Sequence, residues 1–171
     1  MSISFNWEKA NSEITNTNSV KEVHDYCNVV NAEKYKGQSG KISIKLTFET
    51  ADNGKFGAFM GIKDKAGEIT VQRLTKLLVK STDVDTAKRI FDKVAADEDV
   101  NTDEEFVLEF ANKVDKKLAA NPVKVYVDRV KNGDNWNTKW YFEKPQTSNA
   151  AEDVAKANDD ADAIAKVLEG N

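Results

Sequence analysis

Between Lys41 and Glu49 the chain reads KISIKLTFE, with Ile42, Ile44, Leu46 and Phe48 alternating strictly with Lys41, Ser43, Lys45, Thr47 and Glu49. A period of two puts the four apolar side chains on one face of a strand and leaves the other face to water. This stretch therefore commits the fold to a sheet with one buried side. The flanks say how the sheet continues. A β-leaning segment around Tyr26-Cys-Asn-Val-Val30 precedes it, and Lys36-Gly-Gln-Ser-Gly40 supplies a turn. Asp52-Asn-Gly-Lys55 follows, and Asn and Gly tolerate the positive φ of a tight hairpin, so a third strand over 55–63 returns antiparallel.

The period then changes. Val71, Leu74, Leu77 and Leu78 fall at helical spacing, as do Val84, Ala87, Ile90, Phe91 and Val94. Thr102-Asp-Glu-Glu105 has the form of a capping box opening a helix that carries Phe106, Val107, Phe110, Ala111, Val114 and Leu118. Three helices are predicted within 69–119, ended by Asn121-Pro122 because proline disfavours helix in the residue before it. Val123, Val125 and Val127 alternate with Lys124, Tyr126 and Asp128; Lys131-Asn-Gly-Asp134 makes a turn; Trp136 to Glu143 makes the last strand. The predicted fold is mainly β with a helical insertion, α+β: a five-stranded OB-like barrel with the helices between strands three and four.

At 171 residues and 40% hydrophobic content, the chain suits one domain with a core of ordinary size. Residues 1–144 are expected to form that domain, with an N-terminal arm and the insertion at 69–119. From Pro145 the sequence turns to Ala, Asp, Asn and Ser, which predicts an acidic tail over 145–171. In that tail Val154, Ala157, Ala161, Ile164 and Leu168 would line one seam of a helix, able to recruit partners or to cover a basic groove; an Ala-rich disordered end is the other reading. A single cysteine, Cys27, and the absence of an apolar run in MSISFNWEKA predict a cytoplasmic protein, and no stretch is apolar enough to span a bilayer.

Net charge is −4, but it is segregated. Residues 34–80 carry ten cations against four anions and 116–144 seven against three, whereas 81–115 carry four against eleven. The two basic blocks would make one electropositive surface if the fold brings them together.

Strand phase places the side chains that could use it. Phe56, Ala58, Met60 and Ile62 form an inward set, which turns Phe59 outward between Gly57 and Gly61. A ring with open space on both sides suits base stacking; alternatively the glycines mark bulges. Tyr126 and Tyr141 face out by the same reasoning, while Trp140 belongs to the core and Trp136 sits beside the last turn. Tyr35, Lys36, Lys41, Lys45, Lys63, Lys124, Arg129, Lys131 and Lys139 are read as outward or in turns. Cations interleaved with rings grip single strands without reading sequence, which makes Phe59, Trp136, Tyr126 and Tyr141 stacking candidates and the cations phosphate contacts.

Catalysis is not expected. His24 and Cys27 are the only histidine and cysteine, two ligands make a poor metal site, and no phosphate-binding glycine loop is present. Asp97 to Asp103 begins like a calcium loop but has Thr102 where the turn glycine belongs and Leu108 in place of the bidentate glutamate. No cofactor or metal is predicted.

Phe5-Asn-Trp7, the hairpin from Gly37 to Phe48, Gln72-Arg-Leu-Thr-Lys-Leu-Leu78 and the closing Pro122-Val-Lys-Val-Tyr-Val127 with its Asn132-Gly133 turn resemble the small OB-fold single-stranded-DNA-binding proteins of bacteriophages. The resemblance spans residues 20–144. It implies coating of single-stranded DNA during phage replication or recombination in the host cytoplasm. It also implies replication or recombination proteins as partners of the tail, with a homodimer allowed and no membrane partner. The long helical region and the ending Leu-Glu-Gly-Asn depart from that pattern. The alternative is a protein-interaction module, a phage adaptor or an inhibitor of a host protein, acting through the acidic helical region and tail.

Overall fold

The computed structural model describes residues 22–146. Within them the order is β1 (Val23–Lys36), β2 (Ile42–Glu49), β3 (Lys55–Gly61), α1 (Asp64–Ser81), α2 (Val84–Ala95), α3 (Asp103–Ala120), β4 (Val123–Asn132) and β5 (Asn135–Tyr141). The predicted arm with Phe5 and Trp7, and the seam from Val154 to Leu168, lie outside the described residues. No helix among the described residues is long and apolar enough to cross a membrane.

The fold is α+β. All strand neighbours are antiparallel, in the order β3-β2-β1-β4-β5, with the long β1 at the centre. The inward sets are those the alternation predicts: Ile44, Leu46 and Phe48 on β2, Phe56 and Met60 on β3, Val123, Val125 and Val127 on β4, and Trp140 on β5 are all buried. Helices cover this face. α3 lies on β1, α1 packs between α3 and β3, and Leu74, Leu77, Leu78, Phe110, Val114 and Leu118 fill the space beneath.

The sheet curls without closing. Phe48 on β2 and Trp140 on β5 stand three strands apart in the order, which in a flat sheet is about 14 Å; their ring centroids are 6.0 Å apart. Among the described residues β3 and β5 share no hydrogen-bonded pairing, so the expected barrel is not closed. α1 meets β5 instead, with the Arg73 guanidinium over the Trp140 ring and the Lys76 ammonium over Phe142.

β1 carries a bulge that sequence periodicity does not show. Its pairing with β2 shifts between Val29 and Asn31, leaving Val30 as the extra residue. Tyr26 and Tyr35 are an odd number of residues apart and would face opposite sides of a regular strand; the bulge returns both to the face away from the helices. β4 begins opposite Val29, so β1 loses its β4-side partner beyond that point. Asp115 of α3 takes over there, its Oδ1 accepting the Ala32 amide at 2.8 Å.

The helix boundaries follow local chemistry. Thr102 and Glu105 form the predicted capping box of α3, and Asp83 caps α2 by accepting from the Thr86 amide. α1 starts before the predicted position 69, because Asp64 to Glu68 carry no apolar rhythm to announce a helix. Its first turn presses so closely on Ile62 that a Cβ at Gly67 would lie 2.6 Å from the Ile62 carbonyl oxygen.

Candidate nucleic-acid interface

The sheet face away from the helices is built in cross-strand rows. Tyr35, Ser43 and Gly61 form one row across β1, β2 and β3; Glu33, Lys45 and Phe59 form the next; Asn31, Thr47 and Gly57 the third. Ser43 is small, so Tyr35 and Phe59 lean towards each other over β2, with ring centroids 4.8 Å apart and planes tilted by 54°. Both stay open to solvent, Tyr35 at 40% and Phe59 at 55%. Two contacting rings that the core does not use form a hydrophobic ledge at the β3 side of this face.

The glycines beside Phe59 do not leave the space the sequence suggested. A Cβ on Gly57 would lie 2.8 Å from Cε of Lys45, whose stem crosses that position, and one on Gly61 would meet Cβ of Ala66 at 3.0 Å. Neither marks a bulge, since the β2–β3 register runs unbroken from Ser43–Gly61 to Glu49–Lys55. Gly57 makes room for a lysine stem, and Gly61 for the start of α1.

Cations border the ledge unevenly. Lys36 and Lys41 are exposed on either side of the β1–β2 turn, where the Gly37 amide donates to the Lys41 carbonyl at 2.9 Å. Lys45 stands on β2 opposite Phe59, with its stem running over Gly57. Lys63 is exposed, but its Nζ is 3.7 Å from Glu104 Oε2, which neutralises part of its charge.

A second cluster occupies the same face across β1, β4 and β5. Tyr26 pairs with Tyr126 and Tyr126 with Tyr141, so three tyrosines form one row. Tyr126 and Tyr141, expected as stacking surfaces, are only 7% and 5% exposed. Tyr26 covers Tyr126 edge-on at 5.4 Å, and the Lys144 ammonium stands 5.6 Å from the Tyr126 ring. Burial first, and then Asp128, pushes the Tyr126 hydroxyl above its ordinary pKa. The accessible ring of the row is Tyr26, which the sequence reading missed; only the β1–β4 register identifies it. Its hydroxyl accepts the Lys144 amide at 3.3 Å. Lys124 and Lys139 are exposed on this face, opposite Asn28 and Asp128.

Arg129 and Trp136 correct the expectation that all the cations and rings share one surface. Arg129 continues the phase of Val123, Val125 and Val127 and therefore turns to the helix side. It is 8% exposed, its guanidinium 4.8 Å from the Phe56 centroid and 4.2 Å from that of Trp136. Trp136 and its partner Lys131 follow it, Trp136 at 38% exposure. The predicted site thus divides. Tyr35, Phe59, Lys45, Lys124 and Lys139 share the open face with the covered Tyr126 and Tyr141, Lys36 and Lys41 flank its turn, and Arg129, Lys131 and Trp136 stand behind it.

His24 and Cys27 cannot act together, because alternation sends them to opposite faces. His24 Nδ1 is 2.9 Å from Asp128 Oδ1 on the open side, while Cys27 is buried at 3% exposure. Burial, with help from Asp25, pushes the Cys27 thiol up to about 11. At pH 8 the thiolate is therefore scarce as well as inaccessible, and a thiol reagent such as Ellman's should leave the native protein unmodified and react fully once urea unfolds it; equal rates in both states would contradict the burial. The Asp97–Asp103 acids form a turn, with the Asp99 amide on Asp97 Oδ1 at 3.0 Å, leading into the Thr102 cap. Among the described residues no group of three or more His, Cys, Asp or Glu side chains could hold a metal ion.

The chain matches no protein-family model, no curated protein and no solved structure.

Proposed function

We propose that this protein binds single-stranded DNA without catalysis and with little sequence preference. The observation that carries the reading is the Tyr35–Phe59 pair, two solvent-exposed rings in contact on the open sheet face, beside Lys36, Lys41 and Lys45. Every base has a π-face, so a ring platform with nearby cations holds a strand irrespective of sequence. Tyr26, Lys124 and Lys139 extend the same face towards β4 and β5.

The topology supports the reading at a coarser level. The order β3-β2-β1-β4-β5, with helices in the β3–β4 connection, would become that of a five-stranded OB barrel if β3 and β5 were to pair, which they do not among the described residues. In such barrels the β2–β3 face and the β1–β2 and β4–β5 connections hold oligonucleotides. Here the β2–β3 face carries Phe59 and Lys45, and the β1–β2 connection ends at Lys41.

Fluorescence anisotropy with labelled oligo-dT tests the proposal. If about five phosphates are neutralised, log K should fall with log salt at a slope of about −3.5, a loss near a hundredfold between roughly 50 and 200 mM. No binding at the lower salt removes the reading.

A protein-interaction module remains the second reading, favoured by a cleft of about 540 Å³ between β1 and α3 whose lining includes Asp97, Asp99, Glu105, Glu109 and Asp115 against the single cation Lys34. No oligo-dT binding, combined with salt-sensitive binding of a polylysine peptide, would favour it.

A further inference from the structure

Behind the open face, β5 and α1 build a ledge of another kind. Trp136, Trp140 and Phe142 share one phase along the last strand and its continuation, a row about 20 Å long at strand spacing. Each ring carries a cation: Arg129 lies 4.2 Å from the Trp136 centroid, Arg73 4.6 Å from Trp140, and Lys76 and Lys80 lie 4.5 and 5.9 Å from Phe142. Arg73, Lys76 and Lys80 recur at helical spacing on one stripe of α1, where like charges repel. Ring faces offset that repulsion without cancelling the charge, as carboxylates would. Among the described residues neither Arg73 nor Lys80 has a carboxylate within ion-pair distance. Burial draws the Arg73 guanidinium below its ordinary pKa, the mark of a cation that has lost part of its water.

We propose that this ledge is a second anion-binding surface, holding through Arg73 and Lys80 the phosphate backbone of a single strand that extends beyond the Tyr35–Phe59 pair. The proposal rests on the single-strand reading above. A nucleic acid fits better than an acidic peptide because Trp136, 38% exposed at the end of the row, offers a face on which a base can stack, whereas Asp and Glu side chains have no ring to place there. Trp140 and Phe142 are buried, so the rest of the ledge grips by charge alone.

The test compares wild type with Arg73→Gln/Lys80→Gln, which keeps both stems in place, on oligo-dT of about four and about twelve nucleotides, the range a single OB-like domain covers. The short oligomer should bind both proteins alike. On the long one the variant should lose at least about tenfold in affinity, and the salt slope should flatten by about 1.4 for two phosphate contacts. Arg73→Lys/Lys80→Arg, with both charges kept, should restore the slope. If the double variant fails to fold, Lys80→Gln alone, at an exposed position, should flatten the slope by about 0.7. Both oligomers binding variant and wild type equally would overturn the ledge and leave the open-face reading standing. Wild type binding neither would remove both. A polyglutamate peptide whose binding is lost in the double variant, while the long oligomer binds unchanged, would also overturn the proposal and make the ledge a site for acidic protein.

Discussion

Phe48→Ala should cost the protein about 3–5 kcal/mol and lower its melting temperature by on the order of 10 °C or more. Phe48 is fully buried, stacked on Phe56 with centroids 5.2 Å apart and planes at 10°, and tilted against Trp140 at 6.0 Å. It is therefore the ring at which β2, β3 and β5 meet, and no backbone pairing between β3 and β5 stands in reserve among the described residues. Removing it leaves a cavity where these three strands come together. Phe59→Ala is the internal control. It deletes the same atoms from a ring on β3 that is 55% exposed, and should change stability by less than about 0.5 kcal/mol. Urea denaturation of the two variants measures the contrast. Similar losses in both would mean that Phe59 is part of the core and that the open face is wrongly identified.

Much of the architecture was legible because it is written in short-range periodicity. Strict alternation over 41–49 and 123–128 fixed which side chains enter the core, and the shift to helical spacing placed the three helices. The turn signals were equally local: Asn53 and Gly133 adopt the positive φ, 66° and 62°, that their hairpins require. The capping box at Thr102 needed only four residues.

What escaped the sequence depends on partners far along the chain. The bulge at Val30 has no local signature, yet it decides that Tyr26 and Tyr35 share a face. Tyr126 has the right phase for exposure and is covered all the same, because Tyr26 and Lys144 approach it from other segments. Arg129 was legible in principle, because it continues the phase of Val123, Val125 and Val127, although its place just before the turn reads as outward. Its long stem and flat guanidinium can lie between Phe56 and Trp136 at the rim, an arrangement that needs the curl of the sheet and so cannot be seen strand by strand. The same curl brings α1 over Trp140 and sets Arg73 and Lys76 on the rings of the last strand and its continuation.

The central claim is that bases stack on the Tyr35–Phe59 pair. Because the two rings touch, they serve as one platform, and their losses should not simply add. Tyr35→Ala/Phe59→Ala should therefore weaken oligo-dT binding by about 1–3 kcal/mol, roughly 5- to 150-fold. It removes no charge, so the salt slope should stay that of wild type, which separates lost stacking from lost phosphate contact. The most direct measurement is thus an anisotropy titration of this variant beside wild type at two salt concentrations, with matched melting curves as the folding control. A parallel displacement of the two salt plots to weaker affinity is the predicted result; superimposed plots, with wild type binding the oligomer, would contradict the claim.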